Sequence, residues 1–250
     1  MKNSNTQKKH LVVSEVDQSL VRDFFKDEEE LLKYKQEVNS SGLLEELKRQ
    51  AEEFGETVIG KTYRGYDYEL ADIGIEEGIY LYSIIRKLQP KVAVETGVCN
   101  GFSTAFILLA LAANDGGHLH SLDFPEVAGV DYEESTFWQG KRGAVIPNDK
   151  EPGWAIPDKL RGRWSLTLGK SQEKLPNLLT ELGEIDFFIH DSEHSYDCQW
   201  FECTEAYKVL RKNGMLMVDD ITWNSAFTDF CKVQNRQPIY VGDDLGFFIK

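Results

Sequence analysis

The chain has 250 residues, 41% of them hydrophobic, and carries a formal net charge of -14. That length suits one large α/β unit able to bury a sizeable core. A surface so negative repels phosphate backbones and anionic lipid, which excludes nucleic acid and membrane as expected partners and favours a small or neutral substrate.

In chain order, charged residues alternate with Leu, Phe and Val at helical spacing over 15–38 and again over 42–54, with a break at Ser40-Ser41-Gly42. Residues 1–70 therefore read as a helical extension that covers the core or makes a homodimer contact. Residues 60–68 form a loop rich in Tyr and Gly, and a firmer helix over 73–88 stops before Pro90. Strands are expected at Val92–Thr96, His118–Asp123, Trp164–Leu168, Ile185–His190, 215–219, Ile239–Val241 and 247–249. Helical patterns at 103–113, Ser171–Leu182 and 197–210 separate the strands of the first part. Strands alternating with helices pair in parallel through right-handed crossovers, giving a doubly wound α/β fold over 71–250. The last two strands are too close for a crossover, and Gly242-Asp243-Asp244-Leu245 reads as a hairpin turn, so an antiparallel edge strand is expected. One connection, 124–163, is too long for a plain loop. With four prolines, Trp138 and Trp154, it is either a lid over the site or a surface insertion.

The four cysteines, Cys99, Cys198, Cys203 and Cys231, form no C-x-x-C pair. They read as reduced thiols in a cytoplasmic protein. The polar, basic first residues are followed by no apolar run fit for a signal peptide or a membrane span.

In an open parallel sheet, ligands bind beyond the carboxyl ends of the strands. Those ends carry Glu95 and Gly97, Asp123, Ser171 and Gln172, the run His190-Asp191-Ser192-Glu193-His194, and Asp219-Asp220. After the first strand the glycines stand as Gly97-x-x-x-Gly101, with Cys99 where a dinucleotide fingerprint needs its second glycine. Glu95 repels a pyrophosphate and welcomes a cation. Asp123, about twenty residues beyond Gly101, either accepts from a ribose diol or caps the next segment. Asp191, Asp219 and Asp220, on neighbouring strands, either meet over a hard divalent cation or serve as caps for the segments after them, and Asn224 offers a further oxygen. His194, three residues after Asp191, is placed as a general base or a cap, and His190 takes a structural role.

Together, ETGVCNGFST, HLHSLDFP, LTLGKSQEKLP, IDFFIHDSEHSYD and LRKNGMLMVDDI resemble the class I S-adenosylmethionine-dependent methyltransferases, and the last two resemble their metal-dependent small-molecule O-methyltransferase branch. The resemblance spans about 73–250 and implies a Rossmann-like sheet. By its motifs, Glu95, Gly97, Gly101 and Ser103 would surround the methionine part of S-adenosyl-L-methionine and Asp123 would hold the ribose. Ser171 and Gln172 would flank the adenine, with Asp191 bordering the donor. Asp191, Asp219 and Asp220 would bind magnesium or another divalent cation, and His194, with Glu193 as substitute, would be the base. The resemblance thus implies methylation of a hydroxyl on a small acceptor. The rival readings are a metal-independent methyltransferase acting on an amine or carboxylate, a metal phosphohydrolase, a nicotinamide enzyme and a non-catalytic donor-binding protein.

Overall fold

The computed structural model describes residues 20, 24–57, 62–63, 66–67, 75–128, 130, 145–242 and 245–250, with backbone alone at 51, 53–57, 62–63 and 66–67. Seven strands form one sheet: β1 (Val92–Thr96), β2 (His118–Asp123), β3 (Trp164–Leu168), β4 (Ile185–His190), β5 (Leu210–Val218), β6 (Ile239–Val241) and β7 (Leu245–Ile249). Their order is β6-β7-β5-β4-β1-β2-β3. The pairs from β3 through β5 are parallel, and β7 runs antiparallel between β5 and β6. The antiparallel strand expected at this edge is thus β7, with β6 outermost.

The apolar runs alternate their faces with the two-residue period of a strand. Ala93, Phe187, Ile189, Met215, Met217 and Phe247 enter one apolar cluster. Val94, Phe188, Leu216, Val218 and Phe248 enter the other. Both faces must therefore be covered. Helices α1 (Glu28–Ser40), α2 (Leu43–Thr57), α3 (Ile75–Leu88) and α4 (Phe102–Ala113) supply the first side. Helices α5 (Ser171–Leu182), α6 (Tyr196–Val209) and α7 (Ala226–Val233) supply the second. Leu31, Val38, Leu43 and Leu47 of the N-terminal helices join the first cluster. Glu37 pairs with Arg86 at 2.7 Å and Glu30 with Lys87 at 2.8 Å, fixing α1 on α3.

Several features differ from the sequence reading, among them Leu245, which opens β7 rather than closing the turn before it. Residues 15–19 and 21–23 of the first helical pattern lie outside the described residues, and α1 itself begins at Glu28 because the Asp27 side chain accepts from the Glu30 N–H and caps it. Thr62–Tyr63 and Tyr66–Asp67 pair as a small hairpin where a loop is expected. Strand β5 starts at Leu210 rather than 215. Its pairing with β4 jumps from Ile185↔Leu210 to Phe187↔Met215, so the polar stretch Arg211 to Gly214 is looped into a bulge, with Asn213 at φ 63° and Arg211 paired to Asp186.

Part of the long insertion, 129 and 131–144 with Trp138, lies outside the described residues. The rest is fastened to the loop after β1. Gly153 N–H donates to the Cys99 carbonyl at 2.8 Å and Ala155 N–H to that of Asn100 at 3.0 Å. The Trp154 indole N–H donates to Asn100 Oδ1 at 2.6 Å. The described part is thus a brace on the glycine loop.

Candidate active site

The order of the winding reverses between β1 and β4, the topological switch point beyond whose strand ends ligands bind in such sheets. Gly97 is forced to be glycine: its φ is 88°, and a Cβ would stand 1.8 Å from the Asp191 carbonyl oxygen. Gly101, at φ 93°, opens α4 with Ile156 and Gly153 of the brace pressed against it. Cys99 takes a left-handed φ of 46° between them. The backbone is thus bent to let a ligand approach the start of α4.

Glu95 is wholly buried beneath that loop. It accepts from Ser103 at 3.1 Å, Thr104 at 2.9 Å and Ser121 at 2.7 Å. Burial pushes its carboxyl up to about 7 against those donors, and the nearby Asp123 charge adds to the rise. Asp123 ends β2 and accepts the Cys99 N–H at 3.1 Å, with the N–H groups of Val98 and Phe124 also on it. Burial pushes it up to about 6. The Ser103 hydroxyl reaches both Glu95 and Asp191. Ser171 is buried at the start of α5, and its neighbour Gln172 holds a buried side-chain oxygen with no hydrogen-bond partner among the described residues. A glycine cradle, deep carboxyls and an unsatisfied amide oxygen fit a ligand that is cationic at one end and polar at the other.

On the other side of the crevice, ligand atoms of Asp191, His194 and Asp219 lie within 4.8 Å of one another. Burial, then the neighbouring Asp219 charge, holds Asp191 well above the usual carboxylate range. The two carboxylates are hard oxygen donors that fit a divalent cation, and the His194 imidazole lies within reach of them. Asp220, expected as the third acid of this set, turns to His194 Nε2 at 3.3 Å from a left-handed φ of 54°. Asn224 Oδ1 accepts the Ala226 N–H at 2.7 Å at the start of α7, and its amide N–H donates to the His194 carbonyl at 2.9 Å. It holds the loop rather than facing the ion site, as the main-chain demands of a helix start require. Glu193 is half-buried and close enough to add its charge to the burial that raises the Cys198 thiol. Trp223 is 64% exposed with its ring 5.2 Å from that of His194, an open aromatic wall at the site.

His190 is buried on Glu202 of α6, its Nδ1 2.7 Å from Glu202 Oε2. The sequence reading missed Glu202, and also Thr104, Ser121 and Asn100. A buried acid at a core position of a helix was the available signal for Glu202.

A methyltransferase-domain family model matches residues 94–221, which covers the glycine loop, Asp123, the 190–194 run and Asp219-Asp220. The chain belongs to this methyltransferase family. Its fold is that of solved O-methyltransferases. NovP is 17% identical with a TM-score of 0.55, covering 84% of this chain and 98% of that one. TomG from Streptomyces achromogenes, solved with SAM, is 18% identical at 0.55, covering 82% and 89%. The O-methyltransferase from Bacillus cereus, solved with SAH, is 14% identical at 0.52, covering 94% and 96%. No curated protein sequence matches the chain. All four cysteines of this methyltransferase are free thiols, and among its described residues no helix is long and apolar enough to cross a membrane.

Proposed function

We propose that this methyltransferase moves the methyl group of S-adenosyl-L-methionine to a hydroxyl of a small acceptor, assisted by a divalent cation such as magnesium. The observation that carries the reading is the pairing of two sites across one crevice: the glycine cradle over Glu95 beside Asp123, and the Asp191–His194–Asp219 cluster. TomG and the Bacillus cereus enzyme are O-methyltransferases solved with SAM and SAH respectively, which supports it.

When bound, the donor supplies a methyl group on a positively charged sulfonium. Gly97 and Gly101 would let the main chain close on it, and the buried carboxyls Glu95 and Asp191, held above their usual range by burial, would be drawn to ionise beside its cationic end. Asp123 would accept from the ribose hydroxyls, and Gln172 would offer its unsatisfied oxygen to the adenine amino group. A divalent cation, when bound, lowers the pKa of a hydroxyl it holds. Asp191 and Asp219 would hold it, with the His194 ring beside them. His194 takes the acceptor's proton, and the Asp220 carboxylate 3.3 Å away stabilises the imidazolium so formed. Holding acceptor and donor at attack distance is worth about 7–11 kcal/mol of barrier at best.

Calorimetry with SAM and SAH, followed by transfer of a labelled methyl to a panel of hydroxylated sugars, polyketides and phenols, tests the proposal. Binding of both, transfer to a hydroxyl, and loss of transfer in excess chelator are expected. A chain that binds neither compound overturns the reading. Transfer unaffected by chelator removes the cation and leaves a metal-independent methyltransferase.

A further inference from the structure

Glu202 belongs to no motif, lies on α6 behind the crevice, and is wholly buried. Its carboxylate nevertheless gathers side chains from both strand ends that build the site. It accepts from Thr96 Oγ1 at the end of β1 and from Ser192 Oγ at 2.9 Å, and it pairs with His190 Nδ1 at 2.7 Å. The Cys198 thiol lies at 3.5 Å and Ser171 also reaches it. Thr96 precedes Gly97, and His190 and Ser192 flank Asp191. One carboxylate therefore clamps the neighbours of the donor glycine and of the candidate cation ligand.

The contact continues outward. The His190 ring meets the His194 ring edge-on, centroids 5.5 Å apart at 85°. The His190 carbonyl accepts the Asp219 N–H at 2.9 Å, and the Asp191 N–H donates to the Thr96 carbonyl at 2.9 Å. Burying an ionisable group is expensive, and an apolar residue of similar size would pack α6 more cheaply. What the carboxylate adds is direction, since only an acceptor placed there fixes the orientation of His190. Burial alone would push Glu202 up, but the His190 pairing and the hydroxyl donors bring it below its usual value.

We infer that Glu202 is a positioning residue, which acts through His190 and Ser192 to hold the 191–194 loop and keep the His194 ring facing Asp219 and Asp220. The inference rests on the reading of that loop as the acceptor side of the site.

Hydrogen exchange on the full chain tests it without needing an acceptor or an ion. In E202Q, amide exchange over 190–195 is expected to rise about tenfold or more, while β2, β3 and α4 keep their wild-type rates. Mn2+ binding, read by electron paramagnetic resonance, is expected to weaken about tenfold. SAH affinity should fall less than Mn2+ affinity, because Glu202 reaches the donor side only through Thr96 and Ser171. E202D keeps the charge and is expected to restore both readouts most of the way, which a purely space-filling role would not do. H190Q, which leaves Glu202 in place, should loosen the same segment, and decides the matter if E202Q does not fold. Wild-type exchange over 190–195 in the variants, an equal rise across the whole sheet, or an E202D no better than E202Q overturns the inference. A wild-type chain that binds no Mn2+ removes the cation from the proposed function, and the exchange and rescue results still decide the role of Glu202.

Discussion

The carbonyl oxygen of Asp191 occupies the space where a side chain at Gly97 would begin. A Cβ built there falls 1.8 Å from it. The donor loop after β1 and the acid-bearing loop after β4 thus touch through bare backbone. G97A is therefore expected to cost about 3 kcal/mol of stability by overpacking and left-handed strain, and to abolish SAH binding. G183A is the control: its φ is also positive, 74°, but nothing lies within 4 Å of the added carbon. It should cost about 1–3 kcal/mol through backbone strain alone and leave binding intact. Urea unfolding and calorimetry read both.

Glu95 makes stability depend on pH in an unusual direction. Its ordinary value of 4.5 applies in the unfolded chain, and burial raises it to about 7 in the native one. Between those values the unfolded chain has lost the proton and the native chain still holds it, so stability falls as pH rises. At about 1.4 kcal/mol per unit, the loss attributable to Glu95 is on the order of 3 kcal/mol. Asp123 and Asp191 shift the same way. E95Q should flatten part of this slope, visible as a smaller drop in urea midpoint between about pH 5 and about pH 8.

Asp191 and Asp219 oppose one another whenever both are ionised. D219N should therefore stabilise the ion-free protein above neutral pH, by about 1 kcal/mol, while abolishing Mn2+ binding. A thermal melt at alkaline pH and a Mn2+ titration make the comparison. A variant that is more stable and less active is the mark of residues kept for a ligand rather than for the fold.

The Trp154 indole bonded to Asn100 ties the insertion to the glycine loop. W154F keeps the ring and loses the N–H. It is expected to cost about 1 kcal/mol and to weaken SAH binding about fivefold, with the acceptor KM little changed. A role confined to covering the acceptor would give the reverse split between the two substrates.

Much of this was legible in the chain because parallel strands buried on both faces must be written as short apolar runs, and β1 and β4 stop where those runs stop. The polar residues just past each run were legible for the same reason: nothing apolar is needed beyond the sheet. The antiparallel strand was legible from its short turn, yet its insertion inside β6 was not, since strand order is set by packing across the sheet. The bulge at 211–214 escaped because its residues are polar and continue a helical pattern.

The sequence by itself determined the winding, the glycine loop and which strand ends carry acids, because periodicity and backbone freedom are local properties. Only the tertiary structure decided how those acids are used: Asp220 and Asn224 turn to His194 and its loop, Asp191 and Asp219 face each other, and Glu202 reaches both strand ends from a helix behind them. Side chains far apart in the chain meet at distances of a few ångströms, and burial then shifts their charges, which no spacing along a sequence encodes.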